Sequence, residues 1–172
     1  MDELQRSDVA TFKKQEKFPI TLVLDNVRSM HNVGSSFRTA DGFAIEKIIL
    51  CGITATPPHR EIEKTALGAT KSVDWQHVMD TTLAIEQLRQ QGYVIIAIEQ
   101  AQGSISLSDF VFEKEKKYAL IFGNEVHGVS DEVMTMIDHC IEIPQYGTKH
   151  SFNVSVSIGI VLWDCIQKIR NI

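Results

Sequence analysis

Three segments of this 172-residue chain combine glycine, hydroxyl, amide and charged side chains closely enough to do chemistry. They are N-V-R-S-M-H-N-V-G-S-S-F-R-T-A (26–40), L-I-F-G-N-E-V-H-G-V-S (120–130) and I-E-I-P-Q-Y-G-T-K-H-S-F-N-V-S (141–155). The second contains the G-x-x-x-x-G of a phosphate-binding loop, but Val129 stands where that motif needs lysine, which removes the charge a triphosphate requires. No G-x-G-x-x-G follows any apolar run, which argues against a nicotinamide or flavin site. His150 and Ser151 have the types of a base and a nucleophile, yet sequence neighbours rarely form a triad and no G-x-S-x-G elbow is present, so a hydrolase is disfavoured. Each polar residue also has a purely structural explanation. Arg38 could pair with Asp41 along a helix, Glu125 could cap N–H groups of its own loop, and Asn32, Ser151 and Asn153 are all suitable helix caps.

The elements that must carry these segments follow from hydropathy. Apolar runs at Ile20 to Leu24, Ile45 to Cys51, Tyr93 to Ile98, Tyr118 to Phe122 and Ile141 to Ile143, with a shorter one at 75–78, read as strands. Between them lie helical segments: one starting at Asn32 and ending at Gly42, one over the charged stretch Glu61 to Leu67, one from Thr81 to Gln91, and one starting at Ser130 with Ser130 as its cap. Strands that are apolar throughout and alternate with helices predict an α/β fold, a mostly parallel sheet with helices on both faces. Ligands in such sheets sit beyond the carboxyl ends of strands, where the loops around Gly52, from Gly123 to Gly128 and from Gln145 to Ser151 all fall.

The last helix opens at Ser151 or Asn153 after Pro144 stops the preceding strand. Val154, Ile158, Val161, Leu162, Cys165 and Ile169 form one apolar stripe, and Val156, Ile160 and Trp163 form a second nearly opposite. In a chain this short the second stripe predicts contact with another subunit.

The length suits one domain, taken as residues 20–172 behind a polar arm at 1–19 that Pro19 ends. The start lacks the order of a secretion signal and no apolar run could span a bilayer, so a cytoplasmic protein without membrane association is expected. Three cysteines without C-x-x-C spacing predict buried reduced thiols and no metal site. A net charge of −5 argues against a protein gripping nucleic acid over its whole surface while allowing a local patch, for which His59, Arg60, Lys64 and Lys71 are candidates.

Taken together and in order, the three segments resemble the three motifs of the SpoU/TrmH RNA 2′-O-ribose methyltransferases of the SPOUT superfamily, over about residues 20 to 170. The resemblance implies a C-terminal trefoil knot, S-adenosylmethionine bound in the knot cleft, and a homodimer through the C-terminal helix. RNA, with transfer RNA as the expected class, is the implied substrate. Carried over by position, Asn32 and Arg38 from the first motif, Glu125 from the second, and Ser151 and Asn153 from the third are implied catalytic residues. The implied cofactor-binding residues are Ile121, Phe122, Gly123 and Asn124 in the second motif, with Ile143, Gln145, Ser151 and Phe152 in the third. Phe152 stands where leucine is usual, keeping apolar character with a larger ring.

The residue types suit such a reaction. Methyl transfer to a ribose hydroxyl needs the oxygen held in line and its developing charge stabilised. Arg38 offers a rigid fork of donors for a phosphate or an alkoxide, whereas its pKa above about 12 makes it a poor proton acceptor. The rival readings are a methyltransferase-like RNA-binding module without activity and a nucleotide-binding α/β protein of other function.

Overall fold

The computed structural model describes residues 8–149 and 151–170. A short helix α1 (Val9–Lys14), with no buried residue, precedes β1 (Phe18–Asp25) and α2 (Met30–Gly42). There follow β2 (Ile45–Cys51), α3 (Arg60–Ala66), a 3-10 turn at Ala69–Lys71, β3 (Asp74–Val78), α4 (Thr81–Gln90) and β4 (Tyr93–Ile98). The chain ends with β5 (Ile105–Ser106), β6 (Lys117–Phe122), α5 (Asp131–Met134), β7 (His139–Glu142) and α6 (Val154–Arg170).

The seven strands form one sheet in the order β3-β2-β1-β6-β4-β7-β5, with every neighbouring pair parallel. Alternation along each strand divides its side chains between two apolar layers. Leu22, Leu24, Ile48, Leu50, Ile96 and Leu120 meet Val33 and Phe37 of α2, Ile62 of α3, and Ile158, Val161, Leu162 and Ile169 of α6. Val23, Ile49, Ile95, Ala97, Ala119 and Ile121 meet Ala84, Ile85 and Leu88 of α4 and Val133 of α5. Both layers are buried, which is why these strands read as continuous apolar runs.

Several boundaries differ from the sequence-based expectation. Pro19 lies inside β1 and does not end an arm; the β1–β2 register shifts between Phe18 and Thr21, so its missing N–H interrupts no regular ladder. Helix α2 begins two residues before Asn32, because Ser29 is the cap and its hydroxyl accepts from the Asn32 N–H. Ser130 makes no side-chain cap, and the helix it precedes is a single turn. The two-residue β5 was invisible to hydropathy, since it forms only by pairing Ile105 and Ser106 with β7.

Two local contacts set helix positions. A Cβ on Gly34 would sit 2.1 Å from Thr65 Oγ1 and 2.2 Å from the Ile62 carbonyl oxygen, so only glycine lets α2 lie this close to α3. At the far end of α6, the Lys168 ammonium donates to the carbonyls of Leu107 (2.6 Å) and Phe110 (3.0 Å) and pairs with Asp164 at 2.8 Å. This tether fixes the helix against the loop after β5. Lys168→Met keeps the apolar stem but leaves those carbonyls without their charged donor, and should cost about 2 kcal/mol in urea denaturation; an unchanged midpoint would mean that water replaces the ammonium freely.

Candidate functional site

The carboxyl ends of β1, β4, β6 and β7 lie side by side, and a cleft of about 740 Å³ opens above β4, β6 and β7. That volume lies within the usual range for a small-molecule site. Its lining includes Ile98 to Ala101 after β4, Phe122 to Val129 after β6, and Ile143, Gln145 and Ser151 to Val154 ahead of and into α6.

One hydrogen-bonded joint holds this edge together. The Glu125 carboxylate accepts from the backbone N–H groups of Arg28 (2.9 Å) and Ser29 (3.0 Å) and from the Asn32 side-chain amide (3.0 Å). Asn32 Oδ1 in turn accepts from Asn153 Nδ2 at 3.1 Å, while Asn153 Oδ1 accepts from the Ser155 N–H at 2.9 Å and so caps α6. The three sequence segments are thereby tied to one another. Asn124 adds a bond from Nδ2 to the Asn26 carbonyl (2.7 Å), and the buried Asp25 carboxylate accepts from the Ser130 N–H (3.1 Å) and the Thr81 hydroxyl (2.6 Å).

Partial burial would raise the pKa of Glu125, but the donors from Arg28, its own backbone, Ser29 and Asn32 outweigh it and leave the group below its ordinary value. Glu125 is therefore a fixed carboxylate at neutral pH and no proton donor. Burial raises the thiol pKa values of all three cysteines, Cys51 to about 12, consistent with reduced, unreactive thiols.

The residues singled out from the sequence are placed as follows. Phe122, Gly123, Asn124, Glu125, Ile143, Gln145, Ser151, Phe152 and Asn153 all line the cleft. Asn32 is buried just behind it, through its bonds to Glu125 and Asn153. Ile121 points into the layer under α4 and is absent from the lining. Ser151 has no hydrogen-bond partner among the described residues, leaving its hydroxyl available, whereas His150 lies outside them. Arg38 is exposed on α2, outside the lining, and makes no ion pair among the described residues. Asp41, the partner that a purely structural role would give Arg38, accepts instead from the Ser72 hydroxyl.

Glycine in the second segment proves to serve the loop itself. A Cβ on Gly123 would stand 2.1 Å from the Gly128 carbonyl carbon and the Val129 nitrogen, across the paired bonds between Asn124 and Gly128. The sequence reading also missed Glu99, whose carboxylate accepts from the Val129 N–H (3.1 Å) beside the cleft. An acidic residue directly after an apolar strand was the available signal. The loop around Gly52, expected at the site, does not line the cleft; Asn26 Oδ1 accepts there from the Ile53 N–H (3.1 Å). His59 caps α3 through Nδ1 and Lys64 pairs with Glu61, so half of the proposed basic patch is engaged locally.

An all-parallel sheet with one cleft over adjoining carboxyl ends defines a ligand-binding α/β protein. A model of the SpoU rRNA Methylase family matches residues 19–163, and the chain belongs to that family. It is 27% identical over 151 residues to a tRNA (guanosine(18)-2′-O)-methyltransferase of Borreliella burgdorferi, covering 88% of this chain and 67% of the relative. It is also 27% identical over 166 residues to the 23S rRNA (guanosine-2′-O-)-methyltransferase RlmB of Vibrio parahaemolyticus, covering 96% and 66%. The fold matches an AdoMet-bound rRNA methyltransferase from Sinorhizobium meliloti with a TM-score of 0.82 at 28% identity, over 88% of this chain and 57% of that one. The chain thus spans about two thirds or less of the length of these relatives.

A depressed folded-state pKa gives stability that is full above the ordinary glutamate value and is lost as pH falls through the folded value. Glu125→Gln should therefore be less stable than wild type at neutral pH, and the gap should close below about pH 4.5. Denaturation midpoints measured across that range check this; a gap independent of pH would mean the carboxylate charge does not hold the joint.

Proposed function

We propose that this protein is an S-adenosylmethionine-dependent RNA ribose 2′-O-methyltransferase, with transfer RNA the first substrate class to assay, acting in the cytoplasm. The single observation that carries this reading is the Glu125–Asn32–Asn153 joint, which brings the three family motifs together at one cleft. Both curated relatives are named for 2′-O-methylation of RNA, one on tRNA and one on 23S rRNA.

The cleft residues fit the cofactor. Apolar side chains of Ile98, Phe122, Ile143 and Phe152 suit an adenine ring, and Glu99, Glu125 and Asp131 supply negative charge suited to a cationic ligand. When bound there, S-adenosylmethionine supplies an electrophilic methyl group. Gln145, Ser151 and the loop from Phe122 to Asn124 would hold it, with the Ser151 hydroxyl, which has no partner among the described residues, set to bond to cofactor or ribose. Asn32, Glu125 and Asn153 act as positioning residues, since their polar atoms are engaged with one another. The chain passing from β7 through the cleft and back to α6 beside α2 is the segment to which we assign the trefoil knot.

None of the described lining residues is lysine or arginine, so an RNA phosphate must be met from outside the cleft. Arg38 is the exposed candidate. On α6, Val156 is 49% and Trp163 59% exposed, with Trp163 against the Phe43 ring at the end of α2. A homodimer over this apolar face would cover both and allow Arg38 to act at the other copy's cleft.

Labelled methyl transfer to tRNA, with nucleoside mass spectrometry, tests the function; no 2′-O-methylated product would refute it. Arg38→Ala should retain cofactor affinity and lose about 10²–10³ in rate, with only slight recovery in Arg38→Lys, which lacks the bidentate fork. A near-normal single-turnover rate would make Arg38 a bystander. Trp163→Glu should give monomers in sedimentation, and a wild-type protein monomeric at micromolar concentration would remove the dimer.

A further inference from the structure

Methylation of a ribose hydroxyl releases a proton, and the side chains placed so far do not take it. A guanidinium such as that of Arg38 is already charged at neutral pH, Glu125 is held below its ordinary pKa, and Asn32 and Asn153 are amides bonded to each other. A titratable side chain of another type lines the same cleft. His127 follows Glu125 by two residues in the loop after β6 and is exposed in the lining. Its backbone is fixed from both sides: the N–H groups of Val126 (2.9 Å) and His127 (3.2 Å) donate to Asn124 Oδ1, and Gly128 exchanges paired bonds with Asn124. Its ring makes no hydrogen bond among the described residues. The other described histidines are engaged away from the cleft. His31 Nε2 meets Glu61 at 2.9 Å, His59 Nδ1 accepts from the Glu61 N–H, His77 Nε2 donates to the Gly52 carbonyl, and His139 lies edge-on to Phe110.

From this arrangement we infer that His127 is the proton acceptor of the methyl transfer, a ring nitrogen receiving the hydrogen bond of the ribose 2′-hydroxyl. The inference rests on the reading of the cleft as an RNA 2′-O-methyl-transfer site. The ribose oxygen forms the new bond to the methyl carbon. The bond from that carbon to the cofactor's sulfur breaks with its electron pair going to sulfur, and the hydroxyl proton passes to the ring nitrogen and then to water. Histidine is the residue type whose ordinary titration falls between about pH 5 and 8, so an imidazole serves as a base at neutral pH, whereas carboxylates, ordinarily near 4, are weak bases there. The charged groups that share the lining with His127 are Glu99 after β4, Glu125 in its own loop and Asp131 at the start of α5, and none of the described lining residues is lysine or arginine. No cation of the lining therefore opposes the ring when it takes the proton. The pinned backbone holds the acceptor beside the site before substrate arrives, which is the condition for efficient proton transfer.

The test is single-turnover methyl transfer by the full chain to unmodified tRNA and 23S rRNA transcripts, with cofactor saturating and pH varied across the histidine range. The wild-type rate should rise about ten-fold per pH unit up to the ordinary histidine value, about 6.5, and level off above it. His127→Gln keeps a hydrogen-bonding side chain but no usable proton acceptor. It should lose about 10²-fold or more in rate at neutral pH, together with the rising limb of the profile, while its affinities for S-adenosylhomocysteine and RNA stay unchanged. The ring is exposed and the loop bonds are made by the backbone, so the variant keeps its fold. In a readout that needs no turnover, the His127 ring signals in NMR, identified by their loss in His127→Gln, should shift when the accepting transcript is added to the S-adenosylhomocysteine complex. A wild-type rate or an unchanged limb in His127→Gln, a rate loss matched by weaker RNA binding, or unmoved ring signals overturns the inference. Transfer by the wild type that ignores the substitution refutes the proton acceptor alone, whereas no transfer by the wild type to either transcript refutes the methyltransferase reading and this inference with it.

Discussion

The Glu125 carboxylate is the constraint on which the rest of the site depends. It lies on the loop after β6, yet its acceptors are filled by the backbone of the loop after β1 and by Asn32 on α2. Asn32 passes the connection to Asn153, the cap of α6. A residue 93 positions from its partner and another 121 positions away thus become neighbours. Charge-assisted bonds to backbone N–H groups are shorter and stronger than neutral ones, so this joint resists the opening that loops at a sheet edge otherwise undergo.

Such a joint has a chemical consequence. The backbone and asparagine amides that hold Glu125 do not give up protons at neutral pH, and the lowered pKa of Glu125 takes it further from acid catalysis. The machinery is then one of placement: a fixed wall made by Glu125, Asn32 and Asn153, beside which the Ser151 side chain lines the cleft. Methyl transfer from a sulfonium already carries a strong electrophile, so orientation, local charge and a place for the released proton are the contributions a protein has left to make.

The surface divides by chemistry around that wall. Carboxylates and apolar side chains share the cleft lining, and Arg38 stands apart on α2. Under the proposed function, a cationic cofactor and a polyanionic substrate would meet different regions, which reduces their competition for one set of side chains. Val156 and Trp163 on α6 also remain exposed, the face that the proposed homodimer would cover.

The strands of the main sheet and the buried stripe of α6 were legible in the sequence because burial leaves a periodic mark on the chain itself: Ile158, Val161, Leu162, Cys165 and Ile169 are all buried where their spacing put them. The three polar segments were legible as motifs, since their residue types are unusual together. Which of those residues touch was not. Ser29 and Asn32 are equally good caps in isolation, and only the Glu125 carboxylate arriving from a distant loop decides that Ser29 caps α2 while Asn32 turns inward. Pro19 within β1, the two-residue β5 and Glu99 on the Val129 N–H likewise depend on partners far along the chain. Periodicity records what a residue does with its own helix or strand; hydrogen-bond partners drawn from separate loops leave no such record, and only the packed structure selects among them.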